Sequence, residues 1–238
     1  MERTAISLTN YPDVCPICGA PKVAVSLYAC IERDTPCDPN EIDRRVEAGI
    51  AAQQRMDAFL ASLPPRYRRY ATTPVAPEVL ATNTKARAAL QAMTPQGFLY
   101  LTGDPGVGKT HLAVRQAVNL IREGFSAQFV DEVEYFERVF AEFGGGRPAP
   151  SLIAPDVLIY DDLGKQKPSD FALQKLYHML EMRWSHEKAT IITSNLTPQA
   201  VGPRISDDPA VAASIVSRLM AGQAVGLRGA DNRPGSAV

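Results

Sequence analysis

The sequence predicts an α/β fold, a parallel sheet with helices on both faces, and three observations carry that expectation. Residues 103–110 read Gly103-Asp104-Pro105-Gly106-Val107-Gly108-Lys109-Thr110, the full GxxxxGKT spacing of a phosphate-binding loop. Short apolar runs at 98–101, 127–130, 156–160, 189–193 and 224–227 alternate with stretches of helical periodicity. The run at 156–160 ends in Asp161-Asp162, as a metal-binding strand does beside such a loop. Strand–helix alternation of this kind closes into parallel pairs through crossovers and puts ligands at the carboxyl ends of the strands.

The loop requires each residue at its place. Its glycines allow turns closed to other residues, so that successive N–H groups point at phosphate oxygens, and Asp104, Pro105 and Val107 complete the turn. Lys109 brings a point charge to the β- and γ-phosphates, and the Thr110 hydroxyl takes one position on Mg²⁺. The helix expected over 111–122, beginning with His111, adds its positive end. The strand at 98–101 before it and the helix after it are the context the motif needs. The ligand expected is ATP or GTP.

At 238 residues the chain has room for one well-buried α/β core and a small appendage. Its formal net charge of -1 means that nucleic-acid binding would need a local patch or several copies acting together. No apolar run approaches the roughly 18 residues of a membrane span, and Met1-Glu2-Arg3-Thr4 lacks a signal-peptide pattern. A cytoplasmic protein without membrane contact is expected. Four cysteines in a reducing compartment point to metal or to plain core positions.

All four cysteines lie before residue 38. Cys15-Pro16-Ile17-Cys18-Gly19 has the form of a zinc knuckle, in which two thiolates on one tight turn meet a tetrahedral ion. Cys30 and Cys37 can supply the other two ligands, although their separation is wider than a second CxxC. A redox pair or buried thiols without metal is the other reading. Asp38 as N-cap and Pro39 in the first turn open a helix whose face is Ile42, Val46, Ile50, Gln53, Met56 and Leu60. Leu63-Pro64-Pro65 ends it. The domain expectation is therefore a cysteine-and-helix module at 1–63, a linker at 64–95 with a short helix over 84–93, and the nucleotide-binding domain at 96–238. Within the linker, Arg66-Tyr67-Arg68-Arg69-Tyr70 interleaves charge and rings. That pattern suits a nucleic-acid backbone and bases, and equally a solvated connector anchored by two tyrosines.

Three further positions belong to the strand ends and to the last helix. Asp161 would hold Mg²⁺ through water and Asp162 would orient or deprotonate the attacking water. Asp162 is one methylene shorter than the glutamate common at that place, so slow intrinsic turnover is expected. Asn195, after the strand at 189–193, can hydrogen-bond the γ-phosphate and the water from a strand lying between the two motif strands. Arg218, on the apolar helix at 209–220, fits either an arginine finger reaching the nucleotide of a neighbouring subunit or a surface ion pair.

Taken in order, these residues resemble the AAA+ ATPases of the DnaC-type bacterial helicase loaders and the related IstB-type transposition ATPases. The likeness runs from about residue 63 to 233. It rests on Leu63-Pro64-Pro65-Arg66-Tyr67, Gly108-Lys109-Thr110-His111-Leu112-Ala113, Leu158-Ile159-Tyr160-Asp161-Asp162-Leu163-Gly164, Thr190-Ile191-Ile192-Thr193-Ser194-Asn195-Leu196 and Ser217-Arg218-Leu219. The resemblance implies an ATPase with Arg218 as finger, Asn195 as sensor 1 and Asp162 as the acid acting on water. After the last expected strand the short tail leaves no room for the helical lid of many AAA+ proteins, and Arg228 and Arg233 are the candidates for a second sensor. The cysteine module occupies the place where loaders carry their helicase-gripping domain.

The implied function is ATP-dependent loading of a hexameric DnaB-type replicative helicase onto single-stranded DNA by a homo-oligomeric ring or spiral joined through Arg218. ATP, Mg²⁺ and Zn²⁺ are the cofactors expected. The alternative is a transposition regulator that assembles on duplex DNA. A small-molecule kinase is a third reading, and the finger and sensor positions argue against it. A zinc-based DNA-binding module with a degenerate ATPase is a fourth, which the filled ATPase positions disfavour.

Overall fold

The computed structural model describes residues 14–17, 37–143 and 145–232. The chain divides into two compact units, Met1–Asp57 and Ala58–Val238. In the first, Cys15, Cys37, Ile42 and Val46 are buried in one cluster, and Arg45 donates from Nη1 to the Pro16 carbonyl. Helix α1, Pro39–Ser62, starts as its cap predicts, with the Asn40 N–H donating to Asp38 Oδ1 at 3.0 Å. Its buried stripe departs from the expected one. Gln53 is exposed and hydrogen-bonds Asp57 one turn on, while Phe59 is fully buried.

Residues 58–62 of α1 belong to the second unit. There the Ser62 hydroxyl accepts from the Phe129 N–H at 3.0 Å and Leu63 is buried. The segment 64–95, read as a linker, folds into three helices of the same unit: α2 at Pro65–Arg68, continued by a 3₁₀ turn at Arg69–Ala71, α3 at Pro77–Thr82 and α4 at Thr84–Gln91. Proline at the first turn of α2 and α3 preorganises each without losing a hydrogen bond.

The core sheet follows. β1 is Phe98–Thr102, α5 Lys109–Arg122, β2 Ala127–Asp131, α6 Glu132–Phe143, β3 Val157–Asp161, α7 Asp170–Ser185, β4 Ala189–Ser194, α8 Pro198–Ile205, α9 Pro209–Met220 and β5 Gln223–Gly226. All pairings are parallel, in the spatial order β2-β3-β4-β1-β5. Strands β3 and β4 are buried along their whole length, as inner strands covered on both faces must be, and β4 carries Thr190, Thr193 and Ser194 into the interior. The register places β4 between β1 and β3, so its end lies between the phosphate loop and the paired acids.

A helix beyond the 64–95 segment also escapes the sequence reading, as α2 and α3 do. Helix α8 is capped by the Thr197 side chain and contains Gly202-Pro203, which reads as a break. Gly202 is required by packing: a Cβ there would stand 2.8 Å from Val216 Cγ2 of α9. Among the described residues no helix is long and apolar enough to cross a membrane.

Candidate functional site

The loop between β1 and α5 delivers the phosphate-binding groups. Gly108 lies at φ 99° and caps α5, a conformation open to glycine, and a Cβ there would press on Val79 Cγ1 at 3.0 Å. Lys109 is buried; its Nζ donates to the carbonyls of Gly103 at 2.7 Å and Asp104 at 2.9 Å and to Asn195 Oδ1 at 2.8 Å. Asn195 is held in turn because the Leu196 carbonyl accepts from Tyr100 Oη at 2.8 Å and Thr102 Oγ1 at 2.9 Å. Two motifs some 86 positions apart thus meet through one ammonium group.

The acids at the end of β3 complete the centre. Asp161 is fully buried, and its Oδ1 accepts from Thr110 Oγ1 at 2.9 Å and Thr193 Oγ1 at 2.6 Å. Its other carboxylate oxygen is buried without a hydrogen-bond partner. A buried carboxylate oxygen left alone costs free energy unless a cation takes it. Burial first, and then the neighbouring Asp162 carboxylate, push Asp161 up to about 7. Oxygens of Asp131, Asp161 and Asp162 lie within 4.8 Å of one another. This donor set fits Mg²⁺: hard oxygen ligands, an unshared buried oxygen, and a threonine hydroxyl that gives its proton to Asp161 and keeps its lone pairs for the ion.

Asp162 sits in the left-handed region at φ 61°, uncommon for a residue with a side chain. Its N–H donates to Thr193 Oγ1 at 3.0 Å, and its carboxylate pairs with Lys165 Nζ at 3.1 Å. Thr193, which the sequence reading did not single out, therefore joins both acids through one hydroxyl. Its signal is a hydroxyl at the carboxyl end of the strand, in Ile191-Ile192-Thr193-Ser194-Asn195.

A cavity of about 690 Å³ spans these groups, lined by Gly106, Lys109, Thr110, Asp162, Lys165 and Asn195. Its opposite wall comes from residues 67–79, a contribution the linker reading missed. His111, expected among the nucleotide contacts, stacks on Tyr70 with ring centres 4.4 Å apart, and its Nε2 lies 2.9 Å from the Thr73 carbonyl oxygen. Tyr70 stacks on Tyr67, which meets Phe129 edge-on. The two tyrosines are half-buried in this stack and line the cavity with His111, while Arg66, Arg68 and Arg69 are exposed.

Other expected residues lie elsewhere. The Arg218 Nε donates to Glu181 Oε2 at 2.7 Å, and its guanidinium lies 5.0 Å above the centre of the Trp184 ring. Helix α9 leads into β5, whose Gln223 pairs with Leu99 near the amino end of β1, whereas the phosphate loop leaves the carboxyl end. Arg218 is therefore not gathered with Lys109, Asp161, Asp162 and Asn195 in its own chain. Arg228 faces another cavity, beside α4, and is clasped by its main chain to Asn83. Arg233, Cys18 and Cys30 lie outside the described residues. The chain after β5 returns to the loop: the Asn232 N–H donates to the Gly106 carbonyl at 3.0 Å, and a Cβ on Gly106 would collide with Asp231.

Comparison with known proteins places the chain in a family. Residues 68–231 match the model of the family described as IstB-like ATP binding protein. An insertion sequence IS5376 ATP-binding protein of Geobacillus stearothermophilus is 30% identical over 128 residues, 52% of this chain and 50% of that protein. The chain spans about half the length of the first curated relatives it matches. In fold it is similar to a primosome component from Streptococcus pyogenes at TM-score 0.55 and 24% identity, covering 77% of this chain and 98% of that one. It is also similar to AMPPCP-bound DnaA from Aquifex aeolicus at TM-score 0.55 and 19% identity, covering 71% and 53%. With the family model spanning more than half of the sequence and the loop, acids and asparagine assembled at one sheet edge, the chain belongs to the family of IstB-like ATP-binding proteins.

Proposed function

We propose that this protein is a Mg²⁺-dependent ATP hydrolase that uses the nucleotide as an assembly switch on DNA. The observation that carries the reading is the bond between Lys109 and Asn195 above the Asp161–Thr110–Thr193 cluster, which supports one centre made from three separate motifs. Lys109 and the loop N–H groups bind and orient the phosphates; Asp162, beside the same cavity, accepts a proton from water; Asn195 orients that water. Thr110 and Asp161 would hold Mg²⁺, which supplies charge neutralisation at the β- and γ-phosphates. Asp162 is one methylene shorter than glutamate and is tied to Lys165 at 3.1 Å, which favours slow intrinsic turnover.

Arg218 supports action in trans. Its distance along the fold from its own phosphate loop, with Trp184 46% exposed beside it, suits a head-to-tail contact in which one protomer completes the next. The active form is then a ring or spiral, and ATP binding closes it.

The client is a hexameric replicative helicase, delivered to single-stranded DNA. Support comes from the separate unit at Met1–Asp57, where a partner-gripping module would stand. Within it Cys15, Cys18, Cys30 and Cys37 would hold Zn²⁺, a reading that rests on the Cys15-Pro16-Ile17-Cys18 spacing and is compatible with the burial of Cys15 and Cys37 in one cluster. A second reading, regulation of transposition on duplex DNA, is favoured by the insertion-sequence relatives. Light scattering after gel filtration, with helicase and ATP, decides between them. A complex lost when residues 1–57 are removed supports the loader, and ATP-dependent assembly on duplex DNA without helicase binding supports the transposition regulator. Absence of ATP-dependent assembly on either would end both.

A further inference from the structure

We propose that Glu132 is a positioning residue for hydrolysis: its buried carboxylate clamps the loop that carries Asp162 and Lys165. The inference rests on the hydrolase reading above and adds a residue that takes no part in the nucleotide motifs.

Glu132 opens α6 directly after β2, yet it does not cap that helix. Asp131 does so, with its Oδ1 accepting from the N–H groups of Val133 at 3.0 Å and Glu134 at 3.3 Å. Glu132 turns inward instead and is fully buried. Its Oε1 accepts from the Gly164 N–H at 2.9 Å, and its Oε2 from Lys165 at 2.8 Å and Gln166 at 3.2 Å. Three consecutive main-chain donors converging on one anion form a cradle of the kind proteins use to grip phosphates. Here the anion is supplied by the chain itself. A carboxylate taken out of water is costly unless it is fully hydrogen-bonded, so the position is defined on both sides of the contact.

What the clamp holds is the return from the metal-binding strand. Parallel pairing sets Asp131 opposite Asp161, so Glu132 stands beside the loop that leaves β3. That loop contains two left-handed residues, Asp162 at φ 61° and Gly164 at φ 83°. Left-handed backbone at a side-chain-bearing residue persists only where its surroundings enforce it. Thr193 enforces it from β4, taking the Asp162 N–H on its hydroxyl and the Leu163 N–H on its carbonyl. Glu132 enforces it from β2. Between these two anchors the Asp162 carboxylate and the Lys165 ammonium meet at 3.1 Å, and both line the nucleotide cavity with Lys109 and Asn195. Glu132 itself does not line that cavity. Releasing the clamp therefore displaces the water-facing pair and leaves the phosphate loop in place.

The test is Glu132→Gln in the full-length protein, which keeps size and one acceptor but sets an NH₂ group against main-chain donors. Affinity for Mg·ADP, read with a fluorescent analogue, and the KM for ATP should stay within about three-fold of wild type. The kcat should fall at least about ten-fold, as misplacement of a reacting group by a fraction of an ångström does. Amide exchange followed by mass spectrometry should show residues 164–166 protected in the wild type and fast in the variant. A variant with wild-type kcat overturns the proposal, as does equal loss of ADP affinity and kcat. If the variant does not fold, exchange on the wild type alone decides: unprotected amides at 164–166 overturn the clamp. A wild-type protein that binds nucleotide and never hydrolyses it overturns the hydrolase reading and the catalytic role of Glu132. The exchange measurement tells that failure from loss of the clamp, because it needs no turnover.

Discussion

The Lys109 ammonium donates to Asn195 Oδ1 at 2.8 Å, so the side chain at the end of the middle strand touches the phosphate-loop cation without any intermediary. The contact ties the phosphate-loop cation to the position of Asn195, the residue proposed to orient water. Replacing each partner should separate the two roles. Lys109→Ala removes the charge at the β- and γ-phosphates and should abolish ATP binding in a fluorescence titration. Asn195→Ala leaves the loop intact, so binding should hold while phosphate release falls about 10²-fold, the usual cost of a group acting only in the transition state. Wild-type turnover in Asn195→Ala would remove that residue from the mechanism.

How much of this was legible in the sequence depends on where the information lies. The strands carry their own signal, because residues buried on both faces are mostly apolar: β1 and β3 are near-continuous apolar runs, and β4 sets Thr190, Thr193 and Ser194 around two isoleucines. The loop and acids are local motifs with fixed spacing. By contrast, Tyr67 and Tyr70 have a composition that suits two environments, and the stack onto His111 sets them in the cavity wall. Helix α8 was hidden because Gly202 serves a contact with Val216 that no local pattern records. The left-handed Asp162, the Thr193 bridge and the Glu132 cradle are long-range hydrogen bonds. Their residue types are ordinary for a strand end or a helix start.

Arg218 gives a prediction that depends on geometry between protomers. In its own chain it is held by Glu181 and Trp184, at the end of the sheet remote from the loop. Arg218→Ala should bind ATP normally and hydrolyse it at least about 10²-fold more slowly, the low side of what an arginine finger contributes. Mixing Arg218→Ala with Lys109→Ala should restore part of the activity, because the first supplies an intact site and the second an intact arginine. Two inactive proteins that stay inactive when mixed and co-assembled would place Arg218 outside the site.

Two buried carboxylates make the ligand-free protein sensitive to pH. Asp161 rises from an ordinary 3.8 to about 7, through burial and then the Asp162 charge, and Glu132 from 4.5 to about 7, through burial against three N–H bonds. The folded state keeps protons that the unfolded chain releases, so these groups favour folding at low pH. That advantage is lost as pH rises from about 4 through 7. Without Mg²⁺, the melting temperature should fall across this window and level off above it. Asp161→Asn should flatten the slope and raise the melting temperature most at pH 8, and Mg²⁺ should stabilise the wild type and not the variant. A slope unchanged in Asp161→Asn would show that its carboxylate is not the group titrating.

Arg183 carries the last prediction, one of stability. It lies in the final turns of α7 and is fully buried, and burial lowers it to about 10. Its Nη1 donates to the carbonyls of Leu152 at 3.0 Å and Pro155 at 2.9 Å, its Nη2 to that of Asp156 at 3.1 Å, and its Nε to Thr190 Oγ1 at 2.8 Å. One side chain thus joins the loop entering β3 to the start of β4, the two strands that deliver Asp161 and Asn195. Arg183→Met keeps the volume and strands those acceptors in the core, which should cost roughly 3–5 kcal/mol in urea unfolding with the slope unchanged. Folded variant should still bind ATP, because no nucleotide-facing group is altered. A loss under about 1 kcal/mol would mean that water or a rearranged loop satisfies the freed carbonyls, and that the two strand ends are held in register by apolar packing alone.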